Sequence, residues 1–176
     1  MLKTIAIDGA CRRNGRPDCV SAGACFILDE DEHTQKGATL SQFEEHSTSQ
    51  RGELLGLQVA LDHVRIAPLD TDTLIITDSE YLFNTMTKEW VSRWEHSGWK
   101  TAQGEDVKNK DLWQEIWRIY TEILTPVTFY HIKGHLLSIG AKKYHEIMHQ
   151  DRSGYSLYVK ANLDKEINPD KLHHAQ

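Results

Sequence analysis

Three acidic residues, Asp8, Glu53 and Asp78, stand where a folded chain could gather them. Asp8 ends the β-prone run LKTIAID, Asp78 follows the apolar run LIIT, and Glu53 lies early in a stretch of helical periodicity. Carboxylates drawn together repel one another unless a cation neutralises them, and hard oxygen donors suit Mg²⁺ or Mn²⁺. Such a cluster points to divalent-metal chemistry. Each residue alone also has an ordinary reading. Asp8-Gly9 is a common turn pair at a strand end. Thr77 and Glu80 have capping-box spacing, so helix initiation accounts locally for the polar residues around Asp78. Glu53 is harder to explain away, because its helical neighbours Ser49, Gln50, Gly56 and Leu57 offer no positive charge.

The elements that must position these groups follow from periodicity and punctuation. Residues 2–8 and 20–28 are β-prone runs separated by the turn-rich segment RRNGRPD, which predicts a hairpin. A third extended stretch, 34–43, precedes RGELLGLQVALDHV, where Leu54, Leu57, Leu61 and Val64 recur at helical spacing. Residues 71–77 read as a strand buried on both faces and ending at Asp78, with a helix beyond it. Residues 109–124 carry Leu112, Trp113, Ile116, Trp117, Tyr120, Ile123 and Leu124 at helical spacing, and Pro126 separates them from the strand VTFYHI. A mostly helical stretch is expected over 141–163, followed by a polar tail at 164–176. Hairpin strands followed by alternating strands and helices predict an α/β fold: a mixed sheet of five strands flanked by helices.

Composition bounds the function. The chain has 176 residues, 39% hydrophobic and 26% charged, as expected of one soluble globular domain. No apolar run is long enough to span a membrane, and MLKTIAIDGA is too brief for a signal-peptide core. A cytoplasmic protein is expected, with the nucleus left open, acting as a monomer. Cys11, Cys19 and Cys25 are odd in number and form no Cys-x-x-Cys pair, so reduced thiols with a packing role are expected. The net charge of −6 requires any nucleic-acid site to be locally basic.

These residues carry a family resemblance. IDGACRRNG, TSQRGELLGLQVAL and IITDSEYL resemble the first-strand, first-helix and central-strand motifs of type 1 ribonuclease H, and all three carboxylates match. The stretch from Trp90 to Gln114, including GWKTA and VKN-x-DLWQ, is similar to that family's substrate-handling protrusion and following helix, and IKGH resembles its loop with a mobile histidine. The likeness runs from the first strand to roughly residue 150 and implies a ribonuclease H-like fold. It also implies cleavage of the RNA strand of RNA/DNA hybrids with two metal ions, Mg²⁺ or alternatively Mn²⁺, and 5′-phosphate and 3′-hydroxyl products. By matched position, Asp8 would bridge both ions, Glu53 and Asp78 would complete their shells, and His135 would assist proton movement or product release. Gly9, Asn14, Ser49 and Gln50 match positions near the RNA 2′-hydroxyl, with turn and cap roles as their ordinary reading. Cys11, Thr101 and Asn109 fall within the matched substrate-contacting motifs. Trp90 and Trp94, four apart on one helix face, resemble residues that grip the DNA strand, with core packing the competing role.

Two departures accompany the resemblance. The fourth acidic residue of the metal site is replaced by His145 in the ungapped match, while a longer loop would bring Asp151 to that place. An imidazole there favours a transition metal such as Mn²⁺. In the protrusion, Lys88, Arg93, Lys100, Lys108 and Lys110 are matched by Glu89, Glu95, Glu105, Asp106 and Asp111, which predicts weaker salt dependence of hybrid binding, with Arg12, Arg13 and Arg16 compensating. Two rival readings follow: a domain that binds nucleic acid without catalysis, and a zinc peptidase, since His145, Glu146 and His149 satisfy His-Glu-x-x-His.

Overall fold

The computed structural model describes residues 2–12, 15–30 and 35–131. The expected helix over 141–163, the polar tail, the His-Glu-x-x-His segment, and Asn14, His135, His145 and Asp151 all lie outside them.

Three strands, β1 (Leu2–Arg12), β2 (Val20–Glu30) and β3 (Gln35–Glu44), form an antiparallel meander. Helix α1 (Ser49–Arg65) crosses back over the sheet to β4 (Asp72–Thr77), which pairs with β1 in parallel. Three helices follow, α2 (Glu80–Thr87), α3 (Trp90–His96) and α4 (Lys110–Thr121), before β5 (Val127–His131) adds in parallel to β4. The result is the expected five-stranded mixed sheet, in the order β3-β2-β1-β4-β5. No helix among the described residues is long and apolar enough to cross a membrane.

The core lies between the sheet and the pair α1 and α4. Ile5, Ile7, Ile27 and Ile75 meet Leu54, Leu57, Leu61 and Val64 of α1 and Leu112, Trp113, Ile116 and Ile119 of α4. Those helical positions are the ones whose spacing predicted the helices. The protrusion is tied to the same core. Trp94 of α3 packs edge-on against Trp113, with centroids 6.1 Å apart, and Trp113 donates to the Tyr81 hydroxyl at 2.8 Å.

Four expectations are corrected. First, β1 continues through Asp8 to Arg12, because β2 pairs with it along its whole length. Gly9 is therefore a strand residue opposite Gly23, and Asp8-Gly9 is not a turn. Second, Ser79 rather than Thr77 caps α2: its hydroxyl accepts from the Leu82 N–H at 3.1 Å, while Thr77 accepts from the Ser79 N–H. Third, α4 stops at Thr121, leaving Leu124 outside the helix and 84% exposed. Fourth, Cys11 and Cys19 are joined by a disulfide, whereas reduced thiols were expected. The hairpin brings the two residues to a Cα separation of 6.6 Å, within disulfide reach, although they are eight apart in sequence. Cys25 stays free and buried, and desolvation pushes its thiol up to about 12.

The contact of α1 with the hairpin is made by glycines. A Cβ on Gly9 would stand 2.5 Å from the Glu53 nitrogen, and one on Gly23 would overlap the Gly56 nitrogen and the Gly52 oxygen. A Cβ on Gly56 would lie 3.0 Å from the carbonyl oxygens of Asp8 and Ala24. Backbone here rests on backbone, so α1 sits closer to β1 and β2 than any side chain would allow. Glycine inside a helix costs about 1 kcal/mol relative to alanine, and two such residues, Gly52 and Gly56, are retained in α1 at the contact.

Gly23→Ala should therefore destabilise the fold by about 3 kcal/mol, the upper part of the range for overpacking against backbone that cannot yield. Gly104→Ala, in open space at φ 82°, should cost only about 1 kcal/mol of left-handed strain. Urea denaturation of the two variants compares them, and equal losses would remove the glycine contact as the cause.

Candidate metal centre

Asp8, Glu53 and Asp78 come together. Each offers an oxygen within 4.8 Å of those of the other two, and among the described residues no other group of three metal-capable side chains does so. Their placing follows from the sheet. Parallel pairing of β1 with β4 ends at Ala6 and Ile76, so Asp8 and Asp78 both lie just beyond the last paired residues. In α/β sheets this carboxyl end, where strands part, is where sites form. The glycine contact supplies the third group by setting Glu53 directly over Gly9.

Asp8 and the backbone of Asp78 are held by hydrogen bonds. Asp8 is 7% exposed, and its Oδ1 accepts from the Gly9 N–H at 2.9 Å. Asp78 precedes the Ser79 cap, and its carbonyl accepts from Nε2 of His131 at 3.3 Å, so that nitrogen carries the proton. The His131 ring stacks on Phe83 with centroids 5.6 Å apart. His131 had no signal in the sequence, since it is one residue of an ordinary strand whose end falls beside Asp78 only in the folded sheet.

Three full charges no more than 4.8 Å apart would repel by roughly 3.5 kcal/mol or more per pair at an effective dielectric of about 20. A divalent cation removes that repulsion, and an all-oxygen donor set matches the hard ions Mg²⁺ and Mn²⁺. The residues present fit a divalent metal.

The residues expected to contact substrate have differing engagements. Ser49 opens α1 and is exposed, while Gln50 is half-buried and accepts from the Asn109 amide at 3.4 Å. Asn109 is the N-cap of α4 in a left-handed conformation, φ 58°, and its side chain makes no capping bond. The Thr101 hydroxyl accepts from the Glu105 N–H at 3.2 Å and so braces its own loop. Trp94 is packed on Trp113, which leaves Trp90, half-buried at the start of α3, as the less committed ring. Cys11 is taken up in the disulfide.

Beside Gln50, the Arg51 guanidinium bonds two acids at once. It donates to Glu44 at the end of β3 from Nε (2.6 Å) and Nη2 (3.3 Å), and to Asp111 in the first turn of α4 from Nη1 (2.9 Å) and Nη2 (2.7 Å). In the protrusion, Lys100 and Lys110 both engage Asp106, at 2.6 and 3.6 Å.

The ribonuclease H family model matches residues 2–143. The chain belongs to the ribonuclease H family. Ribonuclease H of Chlorobaculum parvum is 38% identical over 137 residues, 77% of this chain and 86% of that protein. Ribonuclease H of Caldicellulosiruptor saccharolyticus is 34% identical over 138 residues, 76% and 86% of the two chains. Among solved structures, LC9-RNase H1, a type 1 RNase H, superposes with a TM-score of 0.65 at 23% identity over 76% of this chain and 64% of its own. The solution structure of the PFV RNase H domain does so with 0.65 at 16% identity, over 92% and 90%. These two likenesses concern the fold, and the ribonuclease H relatives make the chain a ribonuclease H hydrolase. The peptidase reading of residues 145–149 has no support in this family.

The Arg51 pair also sets a pH dependence. Its hydrogen bond holds the Asp111 carboxyl below the usual carboxylate range. A carboxyl depressed in the folded state stabilises above its unfolded pKa of about 4, and that contribution is lost as pH falls through the folded value. Asp111→Asn should lower stability at pH 7 by less than about 1 kcal/mol, because Asp111 is 69% exposed and water screens the pair. The difference from the unaltered protein should shrink as pH drops below 4, as read by thermal unfolding at a series of pH values. A difference that grows in acid would contradict this assignment.

Proposed function

We propose that the chain hydrolyses the RNA strand of RNA/DNA hybrids with two divalent ions, Mg²⁺ or alternatively Mn²⁺, leaving 5′-phosphate and 3′-hydroxyl ends. The observation that carries this is the convergence of Asp8, Glu53 and Asp78 within 4.8 Å in a chain of the ribonuclease H family. When bound, such ions lower the pKa of a coordinated water and stabilise charge on the departing 3′ oxygen.

The chain's own residues bind and orient. Asp8, its Oδ1 held by the Gly9 N–H, would be shared between the ions, and Glu53 and Asp78 would complete their shells. Gly9, Ser49 and Gln50, which neighbour Asp8 and Glu53 along β1 and α1, would sense the RNA 2′-hydroxyl. Asn109 adds an amide to the same rim, and Trp90 of α3 offers a ring to the DNA strand. With water attacking phosphorus, the bond from phosphorus to the 3′ oxygen breaks and that oxygen takes a proton. His135 is assigned to proton movement or product release. His145, or Asp151, is assigned to the fourth place of the metal site, and the histidine would tilt preference toward Mn²⁺.

The test is incubation with labelled RNA/DNA hybrid, double-stranded DNA and double-stranded RNA, in Mg²⁺ and in Mn²⁺, beside Asp8→Asn. Only the hybrid should be cut, in its RNA strand. Asp8→Asn should lose at least about 10²-fold to 10³-fold in rate, as for removal of a preorganised charge-stabilising group. Intact hybrid under both metals would overturn the proposal and leave a binding domain without catalysis.

A further inference from the structure

We propose that Arg51 is a positioning residue for the hybrid-binding rim: by clamping Glu44 and Asp111 together it sets the spacing between Gln50 and Asn109, and so governs substrate binding without touching substrate. The inference rests on the reading of Gln50 and Asn109 as hybrid contacts.

The guanidinium has five N–H donors, and the four bonds to Glu44 and Asp111 occupy four of them. Its side chain is only 19% exposed, which leaves little of it to present to a nucleic acid. Through these bonds one side chain joins the end of β3, the first turn of α1 and the first turn of α4. Gln50 is its neighbour in sequence, and Asn109 lies two residues before Asp111. The clamp therefore brackets the 3.4 Å contact between Gln50 and Asn109.

Two features separate positioning from general stabilisation. Apolar packing of Leu54, Leu57 and Leu61 with Ile116 and Ile119 already joins α1 to α4, and it far outweighs an ion pair with a partner 69% exposed. Asn109 is also held in a left-handed conformation, and its side chain turns to Gln50 instead of capping its own helix. Such a backbone persists where its surroundings over-determine it, and Asp111, anchored by Arg51, stands two residues away. Lysine could not replace the clamp in full, since a single ammonium lacks the planar fork that serves two carboxylates at once.

The experiment uses the full chain with two readouts: Kd for a labelled RNA/DNA hybrid in EDTA by fluorescence anisotropy, and steady-state cleavage in Mg²⁺. Arg51→Gln should raise Kd and KM about tenfold, a modest share of what misplacement of a binding group can cost, and leave kcat within about twofold. Arg51→Lys should fall between it and the unaltered protein. Adding Asn109→Ala to Arg51→Gln should weaken binding no further than the larger single effect, the signature of coupled groups. Should Arg51→Gln fail to fold, Asp111→Asn and Glu44→Gln, each cutting one arm of the clamp, carry the same expectation. Unchanged Kd with a lowered melting temperature, or fully multiplicative effects of the two substitutions, would overturn the inference. A protein that binds hybrid without cleaving it would overturn the proposed activity while Kd still judged the clamp, and one that does not bind hybrid would overturn both.

Discussion

The backbone contact of α1 with the β1-β2 hairpin governs the site. Glu53 belongs to a helix that could cross the sheet at the usual distance, with side chains between. Gly9 and Gly23 on adjacent strands, and Gly56 on α1, remove those side chains where the strands meet the helix backbone at Gly52, Glu53 and Gly56. The helix then descends until its backbone touches the strands, and Glu53 arrives at the level of Asp8. The two helical glycines each weaken α1 by about 1 kcal/mol, a penalty offset by the buried leucines on the same helix, each contributing roughly 1.5–3 kcal/mol. The core thus underwrites a helix composition chosen for the site.

Electrostatics work in the opposite direction from packing at this place. Three carboxylates facing one another oppose folding, and a divalent cation among them would remove that repulsion. Several cations of the described residues are engaged by acids. Arg51 is committed to Glu44 and Asp111, and Lys100 and Lys110 to Asp106. On the proposed reading, a negative net charge would leave shape, stacking and hydrogen bonding to carry more of hybrid recognition than phosphate charge does. Polar groups whose spacing is fixed by neighbours, such as Gln50 and Asn109, then matter more than loose surface cations would.

Much of this could be read before folding was considered. The helices α1 and α4 follow from Leu54, Leu57, Leu61, Leu112 and Ile116, because an amphipathic stripe is a local signal. The three carboxylates were placed by motif resemblance, since singly Asp8 and Asp78 looked like turn and cap residues. What escaped was set by pairing between distant segments. The extension of β1 past Asp8 depends on β2 lying alongside, and the Cys11–Cys19 bridge depends on the hairpin closing. His131 supports Asp78 only because β5 ends beside β4. Gly9 resembled a turn residue for the same reason: what it makes room for lies in a helix more than forty positions later.

Packing, through α1, gathers Asp8, Glu53 and Asp78 into a carboxylate group that fits a divalent cation. Calorimetric titration of the folded protein with Mn²⁺, without nucleic acid, tests it most directly when Glu53→Gln and Asp78→Asn are run beside the unaltered chain. Mn²⁺ binding should be saturable and should weaken about tenfold or more in each variant, a loss at least as large as that for groups supporting a metal ligand. Equal Mn²⁺ binding by all three proteins, with their folds intact, would contradict it.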